Sequence, residues 1–175
     1  MTEVMLDVFR SLAAAGFTEV FCVTGRFDAA HVRAAAEAVR RAREEGVLQV
    51  WLVLHAPLAG RLSLSGDAGV AVADWPTPAA SFPDLHAGDS ETSVMLSIAP
   101  DRVDGKRLAG LKATDLPPAA VDRWRRGGAE ARMVTPDGYP GAPGDASAAK
   151  GTRFVVATSD AYAAAIMAAR SPAAE

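Results

Sequence analysis

Two short apolar runs separated by an amphipathic segment constrain the fold more than any other feature of this sequence. TEVFCVTG ends at Gly25 and VLQVWLVL follows Gly46, and both runs have the composition of short, buried strands. The segment between them, AAHVRAAAEAVRRAREE, is rich in Ala, Arg and Glu, and Asp28 stands where it can cap a helix. A strand, a helix and a strand within about 35 residues predict a βαβ unit with parallel strands and a right-handed crossover.

The flanking segments extend this α/β prediction. Thr2 is expected to cap a first helix over residues 3–15. RLSLSGDAGVAVADW alternates around Ser65-Gly66-Asp67-Ala68, which predicts a β-hairpin at the edge of a mostly parallel sheet. A short helix is expected over PAAVDRWRR, and Asp145 is expected to cap a last helix from Ala146 to about Arg170.

Length and charge limit the classes of function. A chain of 175 residues predicts one domain over 1–175, because that length suffices to bury a core. The formal charge is −3 with no basic tail, which argues against nucleic acid and anionic membranes as partners. Cys22 is the only cysteine and no apolar stretch approaches the ~20 residues of a membrane span, so we expect a cytoplasmic protein.

The stretch HAGDSETSVML, residues 86–96, places a histidine and two acids before an apolar run. With Asp89 as the N-cap, a helix runs from Ser90 to about Ala99 and ends before Pro100. Glu91 then shares a face with Val94, Met95 and Ile98, so its carboxylate is predicted on the buried side, where it needs a partner. Two interpretations remain open, namely a simple helix cap and an acid/base pair of His86 with Glu91.

The longer stretch HAGDSETSVMLSIAPDRVD resembles a signature of the creatininase family, the creatinine amidohydrolases and their relatives. In that signature His-Ala-Gly and Glu-Thr-Ser-Leu-Met-Leu lead to a Pro and a Val-Asp. AGFTEVFCVTG, RRGG and GDASAAKG resemble further family segments in the same order. The resemblance implies a three-layer α/β/α sandwich, higher oligomers, and hydrolysis of an amide or lactam C–N bond by metal-activated water.

Carried onto this chain, the resemblance implies that His86 and Glu91 are the catalytic, proton-handling groups. It also places two aromatic side chains, Trp75 and Phe82, in the loop that leads to His86, where family members have substrate-facing aromatics. Asp89 stands at one of the two variable positions of the same signature and is predicted, with these aromatics, to bind substrate.

The family's metal ligands are the main departure from the resemblance. The N-terminal Glu-Gln-His-Gly segment, with its metal-bridging Asp, is not found, and the later Asn-Gly-His motif reads Thr24-Gly25-Arg26. Arg26 cannot bind a cation because it keeps its proton. It is predicted either to hold a substrate carboxylate or replace the metal charge, or to form an incidental salt bridge. Asp28 and His55 are the two side chains left that could ligate a metal, although Asp28 equally suits a helix cap.

Three functional hypotheses follow. The first is a creatininase-like subunit that cannot form the dinuclear site alone and works in a homo- or hetero-oligomer, for example with a metal-complete homologue. A divalent metal, zinc or manganese, is then expected only if another chain completes the site. The second is an active amidohydrolase with a reorganised or partner-completed site that uses His86, Glu91, His55 and Asp28. The third is a non-catalytic small-molecule binder or scaffold.

Overall fold

The computed structural model describes residues 1–25, 28–75 and 84–170. The chain divides into two compact units. The first consists of Met1–Trp75 together with Thr158–Glu175, and the second of Pro76–Ala157. In the described residues, no helix has both the length and the apolar character needed to cross a membrane.

A parallel sheet forms the centre of the first unit. Its strands are β1 (Glu19–Val23), β2 (Gln49–His55) and β3 (Val70–Ala73), in the order β1-β2-β3. Both pairings are parallel, with Phe21 beside Trp51 and Leu52 beside Val70. The predicted βαβ unit is confirmed, and its connecting helix is α2 (Ala29–Glu44).

Helices α1 (Thr2–Ala14) and α2 bury their apolar stripes on one face of this sheet. Val50, Leu52 and Leu54 alternate along β2 and lie in the core on that side. Cys22 of β1 packs against the same core, and burial raises the pKa of its thiol. Most of the buried side chains of this core are Ala, Val or Leu.

Aromatic side chains mark the opposite face of the sheet. The rings of Phe21 and Trp51 stack with centroids 4.7 Å apart. Helix α8 (Ala148–Arg170) brings its C-terminal part to the first unit, where Tyr162 contacts Trp75 and Arg170 pairs with Glu19. Helices, parallel sheet and helix together confirm the predicted α/β sandwich.

The predicted edge β-hairpin is wrong. Helix α3 (Ala56–Arg61) takes up the start of that segment, turns follow, and β3 pairs parallel with β2. Leu62 and Leu64 are buried although they lie in turns, so their alternation with serine reflects burial in a loop rather than a strand. Gly69, at φ +86°, makes the turn into β3, and a β-carbon there would overlap Arg43 and Val39.

The second unit is mainly short helices. These are α4 (Asp89–Ile98), α5 (Gly105–Leu108), α6 (Pro118–Arg125) and α7 (Gly128–Val134), with 3₁₀ turns at Pro100–Arg102 and Pro143–Asp145. The unit also contains the first turns of α8. An isolated antiparallel bridge joins Thr114 to Gly141. The segment between α4 and α6 therefore contains one 3₁₀ turn and one short helix.

Helix ends separate correct from incorrect capping predictions. The Asp28 carboxylate accepts a hydrogen bond from the backbone N–H of His31 at 2.9 Å, which confirms it as the cap of α2. The predicted cap Thr2 is instead the first residue of α1. Asp145 is also wrong as a cap, because α8 begins at Ala148 and the Ser147 hydroxyl accepts from the Lys150 N–H at 3.3 Å.

Candidate active site around His86 and Glu91

The imidazole of His86 and the carboxylate of Glu91 are in contact. His86 Nδ1 lies 3.2 Å from Glu91 Oε2, and the two side chains are 58% and 61% exposed. When Nδ1 carries the proton it donates to Glu91, and Nε2 keeps a lone pair that can accept another proton. The arrangement is therefore an imidazole oriented by a carboxylate and open to solvent.

Glu91 also contacts the backbone. Its Oε2 accepts a hydrogen bond from the Ala87 N–H at 2.5 Å, and Ala87 has a left-handed φ of +49°. Glu91 is the third residue of α4, so this contact resembles a capping box in which an early glutamate reaches back to a backbone donor. The carboxylate was predicted on the buried side, and this is wrong because Glu91 is exposed.

The loop before α4 is fixed to the segment that precedes α8. The N–H groups of Leu85 and His86 both point to the carbonyl oxygen of Pro140, at 3.3 and 3.4 Å. The ring of His86 lies 6.4 Å from the ring of Trp124, a residue of α6. Backbone contacts rather than burial therefore position His86.

Asp89 does not cap α4 as predicted. The helix begins at Asp89 itself, with Gly88 as the residue before it. Gly88 occupies the N-cap position, and the acceptor for the first turn comes from Asp84, whose Oδ2 accepts a hydrogen bond from the Ser90 N–H at 2.8 Å. Sequence reasoning missed Asp84, because a capping signal is expected immediately before the first helical residue and Asp84 lies five residues before Asp89.

Both oxygens of Asp89 have partners inside the second unit. Oδ1 accepts from the hydroxyl of Ser93 at 3.0 Å, and Oδ2 pairs with Lys150 Nζ at 2.7 Å. Ser93 in turn accepts from the Ser147 N–H at 3.0 Å. Asp89 thus links α4 to the start of α8, and its role in substrate binding stays a prediction.

The buried face of α4 is its serine face and not its apolar face. Ser93 is 1% exposed, whereas Met95 is 38% and Ile98 63% exposed. The reason is the close approach of α8, since a β-carbon on Gly151 would lie 1.9 Å from the carbonyl oxygen of Ser93. Only small side chains fit at such a crossing, so size decides which face is buried.

An open cleft of about 390 Å³ borders Glu91 within the second unit. Its wall is apolar at Met95 and Val103 and charged at Arg107 and Asp137. That volume is in the range of small-molecule sites. No sequence feature considered above pointed to this cleft, because its residues come from five separate segments.

The family profile for the creatininases, described as creatinine amidohydrolase, matches residues 1–166. The chain belongs to the creatininase family. No curated protein sequence matches significantly.

Solved creatininase structures share the fold of this family member. One solved structure, a creatinine amidohydrolase (creatininase), is 22% identical in sequence with a TM-score of 0.63. The match covers 98% of this chain and 63% of that creatininase. A tryptophan-to-phenylalanine creatininase variant gives the same identity and score, with 98% and 64% coverage. A glutamate-to-glutamine creatininase variant complexed with creatine is 21% identical in sequence with a TM-score of 0.60. The match covers 98% of this chain and 64% of that variant. The chain thus spans about 64% of the length of these creatininases.

Of the other predicted site residues of this creatininase-family chain, Asp28, His55 and Trp75 lie in the first unit. His55 stacks on Trp75 with ring centroids 3.8 Å apart, and its Nε2 lies 3.4 Å from the Trp75 carbonyl oxygen. His55 is the last residue of β2 and Trp75 follows β3, so both lie at the carboxyl edge of the sheet, where α/β proteins bind ligands. Arg26 and Phe82 lie outside the described residues.

The described side chains that could ligate a metal have other partners or stand apart from one another. Over residues 1–25, 28–75 and 84–170, no group of three or more His, Cys, Asp or Glu side chains could hold an ion. The carboxylate of Asp28 caps α2, His31 Nε2 lies 3.2 Å from the Thr24 hydroxyl, and His55 stacks on Trp75. These donors do not fit the dinuclear centre that the resemblance implied.

Proposed function

We propose that this chain is a creatininase-like subunit of an amidohydrolase assembly that hydrolyses an amide or lactam C–N bond. One observation carries the proposal: in a creatininase-family chain, His86 and Glu91 of the family signature lie 3.2 Å apart and open to solvent. The exposure of both side chains allows a substrate to reach them.

His86 is the proton-transfer group in this proposal. Nε2 takes a proton from the attacking water as the water oxygen bonds to the carbonyl carbon. The same proton passes to the leaving nitrogen as the C–N bond breaks. Glu91 holds Nδ1 and balances the positive charge of the imidazolium, as a carboxylate does for a general-base histidine.

We further propose that another chain completes the metal site. A catalytic ion needs at least three protein ligands. Among the described residues, no three potential ligands lie close enough together to hold one, and this supports the proposal. The completing chain is a second copy or a metal-complete homologue, and zinc or manganese binds only there. Arg26, Trp75, Phe82 and Asp89 are proposed to contact the substrate, and a reorganised site with His55 and Asp28 is the alternative.

The test compares the chain alone with the chain beside a creatininase homologue that carries the metal motifs. We expect the chain as a monomer to bind fewer than two ions and to hydrolyse neither lactams nor amides. In the active mixture, His86→Ala and Glu91→Gln should each lower kcat by about 10²–10⁴-fold. Glu44→Gln, an exposed glutamate on α2, is the matched control.

Two results would contradict the proposal. Two bound ions with hydrolysis by the chain as a monomer would exclude the need for another chain. Unchanged activity in both His86→Ala and Glu91→Gln would exclude the proton-handling role.

The cleft beside Glu91 supports a second candidate, a non-catalytic binder of small polar molecules. Calorimetry against amides and amino acids tests it, with Arg26→Ala and Arg107→Ala as variants. Binding without hydrolysis in every mixture would favour this candidate over the first.

A further inference from the structure

We propose that Asp84 is a positioning residue that sets the contact between His86 and Glu91. The relevance of this role to catalysis rests on the proposed function, whereas the contacts of Asp84 do not depend on it. Asp84 Oδ2 accepts the Ser90 N–H at 2.8 Å, so one carboxylate closes the bend that contains His86 and joins it to the first turn of α4.

The second oxygen of Asp84 occupies a space that only glycine leaves free. A β-carbon on Gly88 would lie 2.0 Å from Asp84 Oδ1, and a β-carbon on Gly141 would lie 3.1 Å from it. The two glycines also approach each other, because the same β-carbon on Gly141 would be 2.9 Å from the Gly88 Cα. Asp84 is therefore wedged between two backbone segments and cannot move without moving the loop.

This wedge holds a backbone conformation that is unfavourable by itself. Ala87 has φ +49°, a region that residues with a β-carbon occupy infrequently. Such conformations persist when surrounding contacts over-determine them. Here Asp84 holds one side of the bend, and Glu91 holds the other through the Ala87 N–H.

The histidine follows from this arrangement. His86 is the residue before Ala87, and its own N–H points to Pro140, next to the Gly141 that borders Asp84. Opening the bend would rotate the His86 backbone and remove Nδ1 from Glu91 Oε2. Asp84 thus acts through the backbone and does not need to touch a substrate.

Nitrogen NMR of the imidazole rings tests this in the whole chain, without requiring any hydrolysis. The chain has three histidines, and loss of one set of signals in His86→Gln identifies that ring. Glu91→Gln defines the signals of a His86 ring that has lost its carboxylate. We expect Asp84→Ala to shift His86 to those same positions, while the signals of His31 and His55 stay unchanged.

Asp84→Asn separates positioning from proton transfer. The amide oxygen of this asparagine can still accept the Ser90 N–H, so we expect wild-type His86 signals. If Asp84 transferred protons, Asp84→Asn would lower any measured activity as much as Asp84→Ala. Asp101→Ala, an exposed aspartate that pairs with its neighbour Arg102, is the matched control.

Gly88→Ala provides a second route if Asp84→Ala does not fold. The added methyl group pushes on Asp84 Oδ1 and should displace His86 with the Asp84 carboxylate intact. Wild-type His86 signals in Asp84→Ala, or in Gly88→Ala where only that variant folds, would overturn the proposal. Absence of hydrolysis in every mixture with a metal-complete homologue would contradict the proposed function and leave this result intact.

Discussion

Glu91 shows how one carboxylate can serve structure and chemistry together. Its Oε2 accepts the Ala87 N–H and lies 3.2 Å from His86 Nδ1. The two interpretations of HAGDSETSVML, a helix cap and an acid/base pair, therefore do not exclude each other. Loss of Glu91 would free a strained backbone residue as well as an imidazole, so its effect on stability must be measured beside its effect on activity.

Gly151 is the residue where a single methyl group should cost most. Its β-carbon would lie 1.9 Å from the Ser93 carbonyl oxygen and 2.9 Å from the Ser97 Cβ. We expect Gly151→Ala to lower the free energy of unfolding by about 1–3 kcal/mol, although alanine is the better helix former. Urea denaturation measures this.

Gly60→Ala is the control for that substitution. Gly60 also lies in a helix, α3, but nothing stands within 4 Å of its added β-carbon. Gly60→Ala should leave the free energy of unfolding unchanged or raise it slightly. Equal effects of the two substitutions would mean that the crossing of α4 and α8 has room to relax.

Among the elements, those with regular periodicity could be predicted from sequence. The two apolar runs and the Ala-rich helix between them gave β1, α2 and β2, because each pattern has one structural solution. The hairpin prediction failed because Leu62 and Leu64 alternate with serine for burial in turns. Local alternation cannot distinguish a strand from a loop whose apolar side chains reach the core.

The site was predictable in part for the same reason. His86 and Glu91 are close in sequence, so their contact needs only a helix start. The buried face of α4 could not be predicted, because it depends on Gly151, more than fifty residues further along the chain. The role of Asp84 likewise depends on the backbone at Gly141.

The cap of α2 offers a direct test at the element scale. We expect Asp28→Ala to lower the free energy of unfolding by about 0.5–2 kcal/mol, because the His31 N–H loses its acceptor. Asp28→Asn should keep most of the stability, since asparagine caps as well as aspartate. Thermal denaturation followed by far-UV circular dichroism measures both. If Asn is as harmful as Ala, the charge of Asp28 matters more than the cap.

For the whole molecule, the two compact units raise the question of cooperativity. The sequence predicts a single domain, and α8 runs without interruption from the second unit into the first. We therefore expect one cooperative unfolding transition, because the shared helix cannot melt in one unit alone without losing hydrogen bonds in its middle.

The three tryptophans allow this to be measured. Trp124→Phe leaves Trp51 and Trp75 to report on the first unit, and the double variant Trp51→Phe, Trp75→Phe leaves Trp124 to report on the second. In each variant the fluorescence midpoint in urea should equal the circular dichroism midpoint. Separate midpoints within one variant would contradict the single-domain prediction.

The path of α8 also sets an order of events during translation. Ribosomes release the strands of the first unit early, but Tyr162 and Arg170, which meet Trp75 and Glu19, are made more than eighty residues later. Until then, one face of the nascent sheet is not covered by α8, and its aromatic side chains are exposed to solvent. Synthesis of the first unit begins before that of the second and is completed after it. Chaperones therefore have the longest opportunity to bind at that face of the sheet.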